Sequence, residues 1–214
     1  MPTTIWLLPD FIGHPLCFAA LAASLDCQAE MRLVSYHRYW PYRGIADLAR
    51  AVVEDWHGPA PDWVVGYSFG GLVGFEATCL LQRGDGGAPR LLLVDSQLTS
   101  SGGGATSLAQ LVGVAAFGRL LDKIELLAAL GEVERDCVEA NLRFFPDYRP
   151  SRVLRGATLL AGREGAARYK SMAPWRAYLP DACLQRLDIA HQDMLADAVA
   201  LAAILAVLDS RAGA

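Results

Sequence analysis

Trp63-Val64-Val65-Gly66-Tyr67-Ser68-Phe69-Gly70-Gly71-Leu72 reads as a buried strand running through Gly-x-Ser-x-Gly straight into a helix. The bare pattern is common, and its setting is what makes it informative. A serine at a sharp strand-to-helix turn has to adopt a strained backbone, and the turn closes only if the residues two before and two after it carry no side chain. Gly66 and Gly70 meet that requirement. The turn lifts the Ser68 hydroxyl above the sheet at a helix N-terminus, where unpaired N–H groups favour a developing anion. The N–H of Phe69 then becomes one donor to that anion.

Outward from this turn, short apolar runs alternate with helical patterns along the chain, as in a mostly parallel sheet flanked by helices. Six strands are predicted, at Thr4 to Leu8, Met31 to Tyr36, Trp63 to Tyr67, Arg90 to Val94, Ala157 to Ala161 and Leu184 to Ile189. Most are near-continuous Val, Leu and Ile, as strands buried on both faces should be. Helices are predicted at Leu16 to Ser24, Ile45 to Asp55, Phe69 to Gln82 and Asp193 to Leu208. The rhythm breaks once, between about 97 and 147. There Ser100-Ser101-Gly102-Gly103-Gly104 is followed by short helical stretches at Leu108 to Val112, Phe117 to Leu130 and Val133 to Leu142. Helices inserted between two strands build a lid, so the expectation is one α/β domain over 1–214 with a lid insertion.

The 214 residues are 53% hydrophobic and 20% charged, enough to bury a core without disulfides or a structural metal. The formal charge of −4 argues against nucleic acid as a main partner, which would need a basic surface, and gives no support to membrane adhesion. The N-terminus lacks a basic segment and a long apolar run, and Ala198 to Leu208 is too short to span a bilayer. A cytoplasmic protein is expected. Five cysteines without a Cys-x-x-Cys pair read as reduced thiols. Scattered histidines and a Gly102-Gly103-Gly104 run without Gly-Lys-Ser/Thr imply neither metal nor organic cofactor.

Ser68 needs a base, and the histidines are 14, 37, 57 and 191. In the α/β-hydrolase order of nucleophile, acid and histidine, the base follows the last strand, and only His191 does so. His14 lies in the loop after the first strand, where the chain can border the cleft; His37 and His57 read as structural. Two carboxylates compete to orient the imidazole. Asp95 ends the fourth strand, and Glu164 follows the fifth in a charged, solvent-like run. A carboxylate ending a buried strand points at the cleft, which favours Asp95.

Gly66-Tyr67-Ser68-Phe69-Gly70-Gly71 with Gly74-Phe75-Glu76-Ala77, then Leu92-Leu93-Val94-Asp95-Ser96, then His191-Gln192-Asp193-Met194-Leu195, resembles the thioesterase domains that release products from polyketide synthases and nonribosomal peptide synthetases. The resemblance covers nearly the whole chain and implies an α/β-hydrolase fold with Ser68, Asp95 and His191 as the triad. Stand-alone editing thioesterases usually carry their acid one strand later, so Asp95 makes the chain resemble the product-releasing type. Its size and Met1 start look more like a free-standing protein.

One departure concerns the loop after the first strand. Family members often have His-Gly or His-Pro there, whereas this chain reads Leu7-Leu8-Pro9-Asp10-Phe11-Ile12-Gly13. The alignment makes the Phe11 N–H the second oxyanion donor. Asp10 beside it puts a carboxylate where an anion must form, which raises the barrier unless the side chain points away.

The resemblance also implies a substrate held by phosphopantetheine on an acyl or peptidyl carrier protein. Such carriers are usually acidic, and positions 143–176 hold eight Arg/Lys against two acids. Arg149, Arg152, Arg155, Arg163 and Arg168 form the candidate docking face. Two rival readings keep the fold. One is a carboxylesterase using the same triad on oxygen esters. The other is a non-hydrolytic member that binds a carrier or cyclises without an acyl-enzyme, supported by Asp10 and the altered loop alone.

Overall fold

The computed structural model describes residues 2–25, 29–82, 88–98, 114–163 and 173–210, without the side chains of 114–120 and 173. Six strands form one sheet in the order β2-β1-β3-β4-β5-β6: β1 (Thr3–Leu8), β2 (Ala29–Leu33), β3 (Trp63–Tyr67), β4 (Arg90–Val94), β5 (Thr158–Ala161) and β6 (Cys183–Arg186). Every pairing is parallel. The helices are α1 (Ala19–Ser24), α2 (Ile45–Glu54), α3 (Gly70–Leu81), α4 (Val114–Ala129), α5 (Arg135–Asp147) and α6 (Ala198–Asp209).

The continuous apolar runs have a direct explanation, because successive residues of a strand point to opposite faces and both faces are covered. Ile5, Leu7, Val65 and Leu92 pack with Leu21 of α1 and Ile204 of α6. Trp6, Leu8, Val64 and Leu93 pack on the other side with Leu48 of α2 and Val73 of α3. The central strands β1, β3 and β4 are therefore almost wholly buried, whereas the edge strands β2 and β6 are largely open.

The expected elements are all present where residues are described, with shifts at their ends. β2 stops at Leu33 instead of Tyr36, since Tyr36 opens a 3-10 helix, Tyr36–Tyr39, and sends its hydroxyl to the Pro9 carbonyl at 2.8 Å. β6 stops at Arg186 instead of Ile189, although the Leu187 N–H still reaches the Ala161 carbonyl at 2.8 Å. The first helical stretch begins as a 3-10 turn, Pro15–Phe18, and becomes α1 only at Ala19. The last helix starts at Ala198 rather than Asp193. The Asp197 carboxylate caps it by accepting from Val199 N–H at 2.8 Å and Ala200 N–H at 3.2 Å. The residues before that cap form a separate 3-10 turn, His191–Asp193.

In the expected lid, α4 and α5 are helical, and α5 runs five residues beyond the anticipated Leu142 to Asp147. Leu108 to Val112 and the Ser100 to Gly104 stretch lie outside the described residues. Leu127 of α4 and Val133 pack on Ile12 in the loop after β1. Where the chain leaves α5 it is tied to α3. Glu76, 5% exposed, accepts from the Tyr148 hydroxyl at 2.9 Å, the Ser151 N–H at 3.0 Å and the Ser151 hydroxyl at 2.7 Å. Removing the acceptor leaves the buried Tyr148 hydroxyl unpaired and releases the exposed Ser151 from α3, so Glu76→Ala is expected to cost about 2 kcal/mol of stability in urea unfolding. A loss below about 1 kcal/mol would mean that water replaces the carboxylate there.

Among the described residues no helix is long and apolar enough to cross a membrane, and no three His, Cys, Asp or Glu side chains gather as metal ligands. Cys17, Cys79, Cys137 and Cys183 are free thiols, and Cys27 lies outside the described residues.

Candidate active site

Between the last residue of β3 and the first of α3 stand Ser68 and Phe69. Ser68 has a φ of +54°, the left-handed region that side chains other than glycine rarely occupy. Its N–H donates to the Val94 carbonyl at 3.0 Å, and its carbonyl accepts from Gly71 N–H at 3.1 Å. A Cβ on Gly66 would collide with the Gly70 carbonyl, and one on Gly70 with the carbonyls of Leu8 and Pro9. The first glycine closes the turn, while the second lets α3 start against the loop after β1. Gly71 belongs with them and was not anticipated: a Cβ there would strike the Ser96 side chain beyond β4.

His191, in the 3-10 turn before α6, places Nε2 3.1 Å from Ser68 Oγ. Its Nδ1 lies 2.7 Å from Asp95 Oδ2. Asp95 is 1% exposed and has a φ of +44°, so a second strained residue directly follows β4. Its Oδ1 accepts from Gly162 N–H at 2.9 Å. A carboxylate can only accept, so Nδ1 carries the imidazole proton and Nε2 is left to accept from the serine. Tyr67 steadies the ring in two ways. Its ring stacks on the imidazole at 5.1 Å and 22°, and its hydroxyl donates to the His191 carbonyl at 2.8 Å.

Neither Tyr67 nor Gly162 was singled out in the sequence. Tyr67 adjoins the nucleophile and Gly162 follows β5, and each position is a signal only once the register is known. A Cβ on Gly162 would lie 3.0 Å from Asp95 Oδ2, so the small residue lets this backbone approach the carboxylate. Glu164, the competing acid, lies outside the described residues.

The N–H groups of Phe69 and Phe11 find no acceptor among the described residues. Asp10 does not extend into the cleft. Its Oδ1 accepts from Ile12 N–H at 2.9 Å and its carbonyl from Gly13 N–H at 3.0 Å, so the side chain folds onto its own loop. Burial pushes the Asp10 carboxyl up from its ordinary 3.8, against the opposing pull of Lys123, the Ile12 N–H, His191 and His14.

The other histidines do not approach the serine. His57 is exposed. His14 caps the Pro15–Phe18 turn by accepting from Leu16 N–H at 3.2 Å, and its Nε2 stands 3.4 Å from Glu132. His37 bridges the Ile12 carbonyl at 2.8 Å and the Glu134 N–H at 2.9 Å. A carbonyl accepts and an N–H donates, so His37 is neutral with its proton on Nε2.

Burial holds the His37 imidazole below its ordinary 6.5; the Ile12 carbonyl and Glu134 oppose this, and His14 adds to it. As the pH falls, the unfolded chain takes up this proton before the folded one does. The stabilisation is therefore complete above pH 6.5 and declines below it, towards the lower folded value. His37→Gln is expected to reduce the loss of Tm between about pH 7.5 and about pH 5.5. An unchanged pH dependence would assign the acid sensitivity to other groups.

The candidate docking face is less basic than its sequence window. Arg155 pairs with Asp181 at 3.6 Å and Arg163 with Asp188 at 2.6 Å, both acids from outside the window. Arg149 donates to the carbonyls of Pro146 and Tyr148. Arg152 is exposed, and Arg168 lies outside the described residues. Charge counted along the chain missed acids that the fold brings alongside.

A strained serine above a parallel sheet, backed by an imidazole and a buried carboxylate, places the molecule among the serine hydrolases of the α/β-hydrolase fold. Comparison with known proteins narrows the class. The chain belongs to the thioesterase domain family, whose model matches residues 3–146. It is an enzyme of the kind that acts on thioesters. The matched span holds Phe11, Ser68 and Asp95, while His191 lies beyond it.

Among solved structures the chain is similar to the NocB thioesterase domain from the nocardicin cluster, with 25% identity, 97% of this chain and 94% of that one covered, and a TM-score of 0.69. Similar in fold are the surfactin-cyclising thioesterase domain SrfTE (18% identity, 98% and 92% covered, TM-score 0.71) and YbtT, a type II thioesterase from the yersiniabactin pathway (17%, 97% and 92%, 0.70). No curated protein sequence matches the chain.

Proposed function

We propose that the protein is a cytoplasmic thioesterase that releases an acyl, polyketide or peptidyl chain from the phosphopantetheine thioester of a carrier protein. Ser68, His191 and Asp95 act as the triad. The observation that carries this reading is the hydrogen-bonded series from Ser68 Oγ through the His191 ring to Asp95, at 3.1 and 2.7 Å. The similarity to NocB, a thioesterase domain from the nocardicin cluster, and to YbtT, a type II thioesterase from the yersiniabactin NRPS/PKS biosynthetic pathway, supports the substrate class.

As the Ser68 oxygen bonds to the thioester carbonyl carbon, its proton passes to His191 Nε2. The carbonyl π electrons move to oxygen, and that anion is held by the N–H groups of Phe69 and Phe11. Collapse breaks the carbon–sulfur bond, and the imidazolium gives its proton to the departing thiolate. Asp95 stabilises the imidazolium throughout without accepting its proton.

In the second half, water loses a proton to His191 and attacks the acyl-serine, which releases a free acid and restores the Ser68 hydroxyl. An internal nucleophile of the acyl chain in place of water would give a ring. Hydrolysis is favoured over ring closure, because a lid of about fifty residues leaves limited room for a long chain to fold back.

Matched acyl thioesters and oxygen esters separate this reading from a carboxylesterase. The expected result is a kcat/KM at least about 10-fold higher for the thioester. A preference for the oxygen ester would make the protein an esterase with the same triad.

A further inference from the structure

Every carbonyl of the loop after β1 is engaged. That of Pro9 accepts from the Tyr36 hydroxyl at 2.8 Å, that of Asp10 from Gly13 N–H at 3.0 Å, and that of Gly13 from Tyr36 N–H at 2.9 Å. The two that remain are linked to the lid, one through His37 and one directly. The Ile12 carbonyl is bound by His37, whose other nitrogen accepts from Glu134 at the start of α5. The Phe11 carbonyl accepts from Asn141 Nδ2 at 2.9 Å.

Asn141 lies in the middle of α5 and is 0% exposed. Asparagine is a poor helix former, and a buried amide without partners is costly, so this position needs compensating bonds. Both ends of the amide are used. The Tyr42 hydroxyl donates to Oδ1 at 2.6 Å. A carbonyl cannot donate, so the NH2 group must face Phe11, and the Tyr42 bond fixes the amide in that orientation. Beside it Ile12 packs with Leu127 and Val133, with Phe11 against the same cluster.

We infer that Asn141 is a positioning residue for the reaction: from the lid helix it holds Phe11 so that the Phe11 N–H faces the cleft only while α5 is docked. This rests on the reading of Phe11 as the second oxyanion donor. Lid docking and completion of the oxyanion hole are then one event. A displaced lid opens the cleft and also withdraws a donor from both the acylation and the deacylation steps.

The test uses the full chain with Asn141→Leu, which keeps the branched shape and heavy-atom count and removes both bonds, and Tyr42→Phe, which loosens the amide without opening a cavity. The probe is an acyl N-acetylcysteamine thioester beside the dithioester in which sulfur replaces the carbonyl oxygen. Active sites are counted with a fluorophosphonate. Asn141→Leu is expected to lower kcat per active site about 30-fold with KM within about two-fold, and Tyr42→Phe about five-fold. In both, the preference for C=O over C=S should shrink, because sulfur gains less from an oxyanion hole and has less to lose.

A merely structural Asn141 would lower Tm or the count of active sites and leave kcat per site and the C=O/C=S ratio unchanged, which overturns the inference. If Asn141→Leu does not fold, an unchanged ratio in Tyr42→Phe overturns it alone. Turnover surviving in Ser68→Ala would instead overturn the underlying functional reading, so the two failures are distinguishable.

Discussion

Ser68→Ala is expected to lower kcat by about 10^6, to a level set by binding and the remaining oxyanion donors alone. Ser68 Oγ is the group 3.1 Å from the base, and alanine removes that oxygen while keeping the Cβ that the turn already accommodates. The backbone at φ +54° disfavours both residues equally, so stability should change by less than about 1 kcal/mol. Loss of activity at unchanged Tm separates a missing nucleophile from a damaged turn. Activity within about 10-fold of wild type would show that the bond-forming atom lies elsewhere.

Asp95→Asn is expected to lower kcat by about 10^4, a magnitude taken from the same exchange in the serine-protease triad. The reason is geometric. Gly162 N–H can only donate, so the asparagine oxygen must face it, and the NH2 group is turned towards His191 Nδ1. The imidazole then accepts at Nδ1 and carries its proton on Nε2, towards the Ser68 hydroxyl it should deprotonate. A loss below about 10-fold would transfer the orienting role to another carboxylate, with Glu164 the first to test.

The central layer was legible because it obeys local rules. Strands buried on both faces are continuous apolar runs, and β3 and β4 match their expected bounds residue for residue. The serine turn declares itself through Gly66 and Gly70, and a histidine after the last strand has a place in a known order. The edges were less legible. β2 ends early because a tertiary contact, that of Tyr36 with Pro9, takes the chain out of the ladder, and β6 ends three residues before its expected bound. Polar supports left no local trace at all: Phe11 and Asn141 are 130 positions apart, and Tyr42 and Asn141 are 99 apart. Asp10 illustrates the same limit, since its residue type suggested conflict with an anion while its side chain caps Ile12.

The covalent step at Ser68 is tested most directly by peptide mass analysis. Wild-type protein is mixed with an acyl N-acetylcysteamine thioester, quenched in acid within the first turnovers and digested. The expected result is a mass increase equal to the acyl group on the peptide containing Ser68, which disappears as free acid is formed and is absent in Ser68→Ala. Product formation at full rate with no acyl group on that peptide, or an adduct that persists in Ser68→Ala, would contradict it.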